Sequence, residues 1–192
     1  MIDLSLNEVE TIAAKAARGA GFSWGLADEI GRAARLLAAR GEAWGETMLA
    51  LAGAAQAFEP PTAERVALWR RGERDSAGAR PLCPVRTAAF LLDDAAEIGP
   101  APLRIARVGL PIWLAAMLAY ESGWIVDVVE PLAASDVTIR PGATAPVRAQ
   151  ARRAVIAPQI LTALNDYVAR TYVPESERSR RHGAGGGTVD DE

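Results

Sequence analysis

Apolar positions recur at three- and four-residue intervals between Leu4 and Arg40, stop at a glycine-bearing turn and resume, so the chain opens as a helical hairpin. Ser5 and Glu8 stand at capping-box spacing, with Leu4 and Val9 as a hydrophobic staple, and together they start a helix near Leu6. Its apolar face is small: Val9, Ile12, Ala13, Ala16, Ala17 and Ala20. Gly19 and Gly21 can adopt the positive φ that closes a helix, and Ser23 is placed to cap the next one. The second helix, expected over 24–40, carries the stripe Trp24, Ala27, Ile30, Ala33, Ala34, Leu37 and Ala38. Asp28 and Glu29 come early and Arg35 and Arg40 late, the order the helix dipole favours, and Gly41 ends it.

The same grammar extends down the chain. Trp44, Met48, Leu51, Ala52 and Ala55 share a face over 42–58 before Pro60 and Pro61, and Thr62 can cap a short helix that runs to about Arg71. The polar, glycine-bearing stretch 72–81 reads as a loop between subdomains. Cys83 and Pro84 look like the N-cap and first residue of a helix that Gly99 and Pro100 end. Residues 103–108 alternate as a half-buried strand, with Arg104 and Arg107 not sharing a face, and Pro111 starts a helix reaching Gly123. Strand signals return over 124–129, 136–140 and 147–156, with a turn at Pro141 and Gly142. A last helix is expected over 158–172. The expectation is an α+β fold: a helical lobe over 1–71 (the hairpin plus a third helix), a loop over 72–81, a lobe of three or four strands and two or three helices over 82–172, and a flexible tail over 173–192.

Composition narrows the function classes. In 192 residues, half hydrophobic but only 6% aromatic, abundant alanine predicts close helix crossings. A net charge of -3 argues against a nucleic-acid partner, which needs a concentrated basic field. Of the 21 basic residues, Lys15 is the one lysine. The acidic start lacks a leader pattern, and the longest apolar run, over 109–120, is shorter than a membrane span, so a soluble, cytoplasmic protein is expected. A single cysteine, Cys83, leaves no internal disulfide and no multi-cysteine metal cage, and no cofactor is expected.

Candidate chemistry is sparse. Cys83, at a helix start, is the catalytic candidate, because a helix N-terminus favours the thiolate. His182, the one histidine, lies in the tail beside glycines, where nothing holds it as a general base. Glycines 19, 21 and 25 follow a helix rather than a strand and do not make a dinucleotide loop. Asp93 and Asp94 read as a solvated face. Ligand-binding candidates are Lys15, Arg18 and Ser23, which can grip a carboxylate at the start of the second helix. Partner-binding candidates are Tyr172, Arg178, Arg180 and Arg181 of the tail, whose anchor, arginines and acidic end resemble a docking peptide.

Three blocks carry a family resemblance: LSLNEVE, KAARGAG and WGLADEIGRAARLLAARG at the front, LCPVRTAAFLLDDA in the middle, and ARTYVPESERSRRHGAGGGTVDDE at the end. Together they resemble a bacterial family known only as a domain of unknown function. The resemblance implies no activity and assigns no catalytic residue. The leading expectation is therefore a non-catalytic accessory or regulatory subunit that binds a larger bacterial metabolic enzyme, or a copy of itself, through the hairpin and tail. The alternatives are a small enzyme acting on an organic acid or amide through Cys83, and a small-molecule binding module.

Overall fold

The computed structural model describes residues 1–98, 101–121, 124–142 and 151–172. The chain begins with strand β1 (Ile2–Ser5) and passes directly into helix α1 (Leu6–Gly19). The capping box forms in both directions: the Glu8 N–H donates to Ser5 Oγ at 3.2 Å, and the Ser5 N–H donates to Glu8 Oε2 at 2.7 Å. These bonds satisfy two backbone donors that the first turn leaves free, and they hold the Glu8 carboxyl below its ordinary range. Gly21, at φ 100°, reverses the chain into α2 (Trp24–Ala39). Ser23 occupies the N-cap of α2, but its side chain makes no capping hydrogen bond, unlike the expectation.

The hairpin closes tightly because its seam is almost all alanine. Ala13, Ala16, Ala17, Ala27, Ala33 and Ala34 are buried, and a Cβ on Gly31 would stand 2.8 Å from the Glu10 carbonyl oxygen. Such near approach of backbones is what small side chains permit. Trp24 departs from the expected stripe: as the first residue of α2 it is 69% exposed.

Helices α3 (Trp44–Ala54), α4 (Ala63–Arg70) and α5 (Pro84–Asp93) follow. Thr62 caps α4 through the Arg65 N–H, and Cys83 with Pro84 opens α5 as the sequence pattern predicts, although α5 ends at Asp93, before the expected 98. Then come β2 (Leu103–Val108), α6 (Pro111–Glu121), β3 (Trp124–Val128), β4 (Ser135–Pro141), β5 (Arg153–Ile156) and α7 (Pro158–Ala169). The fold is α+β. Its strands form two antiparallel sheets, β2-β4-β3 and β1-β5. Five strands are therefore present among the described residues where three or four were expected. The extra one is β1, which borrows its partner from the far end of the chain, Leu4 facing Ala154 and Asp3 pairing with Arg153 at 2.7 Å.

The N-terminal helices and the C-terminal lobe share one core: α1 packs on α7, α2 on α6, and β1 on β5. Trp113 of α6, fully buried, donates its indole N–H to the Thr47 carbonyl of α3 at 3.2 Å. The stretch 72–81 is irregular, and it is sewn into the body. Asp75 is 4% exposed; its Oδ1 accepts the Ala106 N–H at 2.7 Å, and its Oδ2 lies 3.6 Å from Arg65 Nε. Arg65 also pairs with Glu59 at 3.2 Å and donates to the Ser76 carbonyl at 2.7 Å. Arg104 is exposed on β2, while Arg107, half-buried and at φ 52°, turns its guanidinium to the Gly78 and Ala79 carbonyls beside the β2 irregularity. Among the described residues, no helix is long and apolar enough to cross a membrane.

Candidate functional site

Where α7 crosses α1, the backbones nearly touch. Gly19 has no room for a side chain, since a Cβ there would stand 1.8 Å from the Tyr167 carbonyl oxygen. That crossing sets the course of the residues after α7, Thr171 and Tyr172, which come to lie beside the outer face of the hairpin. Between them and the hairpin runs a cleft of about 600 Å³.

Its floor is Ala14 and Ala27, small enough to leave a trough between the helices. Thr11, Lys15 and Arg18 come from α1 at helical spacing, and Trp24, Asp28 and Arg32 come from α2 at intervals of four, so each helix contributes one row of longer side chains. Two aromatic rings stand in the cleft largely uncovered, Trp24 at 69% and Tyr172 at 63% exposure. The Arg18 guanidinium sits 4.6 Å from the centre of the Trp24 ring, and its Nη1–H donates to the Phe22 carbonyl. Backbone and ring together hold Arg18 in one place, and a cation over an indole face is itself attractive by roughly 0.5–1 kcal/mol at such exposed sites. At the far end, Glu10 is neutralised by Arg35 at 3.0 Å.

The candidates divide. Lys15, Arg18 and Tyr172 meet in this one cleft, whereas Ser23 does not line it. Arg178, Arg180, Arg181 and His182 lie outside the described residues. The sequence pattern missed Trp24, whose place on the apolar stripe argued for burial; its position as the first residue of α2, beside the turn, was the signal that it can stay uncovered.

Cys83 lies elsewhere, on the wall of a cavity of about 280 Å³ beside Phe58, Gln56, Arg80 and Arg86. It is 2% exposed, and burial pushes its thiol above the ordinary range, outweighing the amides of Val85 and Arg86 and the nearby Arg86 charge, which pull the other way. Burial thus opposes the lowering that a helix N-terminus offers. Among the described residues, no group of three or more His, Cys, Asp or Glu side chains is gathered to hold a metal ion.

Comparison with known proteins adds one fact about the hairpin. Residues 4–47 match the model of a family described as a protein of unknown function, DUF3726, so the resemblance to an uncharacterised family holds over β1, α1, α2 and the start of α3. No curated protein and no solved structure matches the chain.

Proposed function

We propose that this chain is a non-catalytic accessory or regulatory subunit that docks on a larger bacterial metabolic enzyme through the cleft between α1, α2 and the end of α7. The observation that carries this reading is the pair of uncovered aromatic rings, Trp24 and Tyr172, set beside the cations Lys15 and Arg18 over a floor of alanine. Tryptophan, tyrosine and arginine are the side chains that most often dominate binding energy at protein interfaces, because each combines a large apolar area with a polar handle. The chemistry of the cleft selects a partner segment that places a carboxylate next to an apolar side chain. The buried thiol of Cys83, with its raised pKa, is poorly suited to the alternative of an enzyme acting on an organic acid or amide.

A second reading shares the same site. A volume of about 600 Å³ falls within the range of small-molecule pockets, and a carboxylate-bearing metabolite would use Lys15 and Arg18 in the same way.

The test compares the full chain with a variant carrying Arg18→Glu and Trp24→Ala, the two shown to have equal helix content and thermal midpoints. The enzyme retained by the wild-type chain is purified, and binding is measured directly. The variant binds it about thirtyfold more weakly, roughly the 2 kcal/mol expected of an interface anchor, and wild-type chain changes the enzyme's rate while the variant does not. Unchanged affinity in the variant would falsify the docking reading, as would substrate turnover by the chain alone that Cys83→Ser abolishes. Saturable binding of a small carboxylate to the isolated chain, lost in the variant, moves the site to the second reading.

A further inference from the structure

The cavity of about 280 Å³ beside Cys83 opens where four separate segments converge. The turn between α1 and α2 supplies Phe22, the chain after α3 supplies Gln56 and Phe58, the 72–81 stretch brings Arg80, and the start of α5 gives Cys83 and Arg86. Its charge is one-sided. Among the described residues, no Asp or Glu lines it, Arg86 has no ion pair, and Arg80 makes only a long contact of 3.4 Å from Nη1 to the Gln56 carbonyl. Elsewhere Arg70, Arg140 and Arg153 each hold a carboxylate within 3.0 Å. Two guanidiniums without a carboxylate in one cavity therefore stand out in a chain of net charge -3.

The backbone that carries these groups is held on both sides. The Arg107 guanidinium donates to the Gly78 and Ala79 carbonyls at 3.0 Å, just before Arg80, and the Pro81 carbonyl, just after it, accepts the Glu59 N–H at 2.9 Å. The Cys83 N–H in turn donates to the Glu59 carbonyl at 2.8 Å, which sets the first turn of α5 against the cavity. Glu59 itself lies between two residues that line the cavity, Phe58 and Pro60, yet its carboxylate is taken by Arg65 at 3.2 Å. The acid best placed by sequence to neutralise Arg80 and Arg86 is thus engaged elsewhere. The positive end of the α5 dipole adds to the same side.

We propose that this cavity binds a small organic oxyanion, its phosphate or carboxylate group held by Arg80 and Arg86 and its apolar part against Phe58 and Phe22. Guanidinium forks match the paired oxygens of either group. A volume near the lower end of the roughly 300–1,000 Å³ of small-molecule sites selects a compact ligand over a peptide segment. The cavity shares no lining residue with the docking cleft, so the inference does not depend on that reading.

Cys83 makes the site readable, because it is the one cysteine in the chain and it lies on the cavity wall. Full chain carrying carbon-13 only at the cysteine Cβ gives a single resonance from this place. Phenyl phosphate and benzoate are titrated separately at constant ionic strength, with sodium chloride as the reference, and affinity is measured in parallel by calorimetry. The expected result is a saturable displacement of the Cys83 signal by at least one probe, and the tighter of the two assigns the anionic group. Arg80→Gln and Arg86→Gln replace exposed side chains, which spares the fold, and each weakens binding about tenfold or more, as loss of a charge-assisted hydrogen bond does. Arg86→Lys, which keeps the charge without the planar fork, falls between. The variant carrying Arg18→Glu and Trp24→Ala binds the probe like wild type. A Cys83 signal that neither probe moves beyond the effect of chloride, up to about 10 mM and so well above a millimolar Kd, overturns the proposal. So does an affinity that Arg80→Gln and Arg86→Gln leave unchanged, or one that the Arg18→Glu and Trp24→Ala variant loses, since either result places the anion elsewhere.

Discussion

Gly19→Ala destabilises the protein by about 3 kcal/mol, the upper end of the range for forcing extra volume into a packed interior, and it disturbs the cleft as well. The reason is space rather than backbone conformation. The added methyl would meet the Tyr167 carbonyl oxygen at 1.8 Å and its carbon at 2.6 Å, and both belong to the backbone of α7. A flexible side chain could turn aside, but a helix backbone has to move as a body. Since α7 leads directly into Thr171 and Tyr172, its displacement opens the cleft on that side. Gly53→Ala is the matched control. Its methyl would find nothing nearer than the Tyr167 hydroxyl oxygen at 3.9 Å, so the substitution gains the helix propensity of alanine, roughly 0.5–1 kcal/mol. Urea unfolding of the two variants against wild type measures both effects, and a Gly19→Ala midpoint equal to wild type would show that the crossing is looser than described.

The second large effect belongs to Asp75. Asp75→Ala removes the acceptor of the Ala106 N–H and one of the two carboxylates facing the nearly buried Arg65, and it costs about 3 kcal/mol at neutral pH, as expected when one partner of a buried pair is deleted. Asp75→Asn keeps an acceptor for Ala106 and costs less. The pH dependence separates charge from hydrogen bonding. Burial raises the Asp75 carboxyl above its ordinary range, outweighing the Ala106 N–H and the Arg65 charge that act in the other direction. A carboxyl whose folded-state pKa is raised contributes stability that is complete below its unfolded value near 3.8 and is lost as pH climbs through the folded value. The advantage of wild type over Asp75→Asn is therefore largest in acid and shrinks toward neutrality. Denaturant midpoints for both proteins across this interval measure it, and an advantage that instead grows with pH would mean that the Arg65 pairing outweighs desolvation.

These residues also mark how far local sequence signals reach. The capping box at Ser5 and Glu8, the Cys83-Pro84 start of α5 and the alternation of β2 were legible because every group involved lies within a few positions of the others. Strand β1 was not: Ile2 to Ser5 alternate apolar and polar over only four residues, too few to stand apart from the lead-in to α1, and their pairing depends on β5 at the other end. Asp75 sits in a stretch that reads as solvated loop, and its burial follows from Arg65 and Ala106, which are distant in sequence. The candidate site divides in the same way. Lys15 and Arg18 stood out as the polar face of a hairpin, but their meeting with Tyr172 depends on the α1–α7 crossing, which no local pattern encodes. Trp24 satisfies helical periodicity, but as the first residue of α2 it stays exposed, with Arg18 of α1 over its ring.

The docking cleft itself is tested most directly by labelling the five tryptophans with 5-fluorotryptophan and recording fluorine resonances as the purified enzyme partner is added. Trp44, Trp69 and Trp113 are at most 2% exposed, so their signals report on the core, and a Trp24→Phe sample identifies the resonance of the ring in the cleft. The account predicts that the Trp24 signal shifts or broadens on binding and loses its sensitivity to solvent, while the three core signals hold their positions. A complex that forms with the Trp24 resonance unmoved, and with Trp124 of β3 responding in its place, contradicts it.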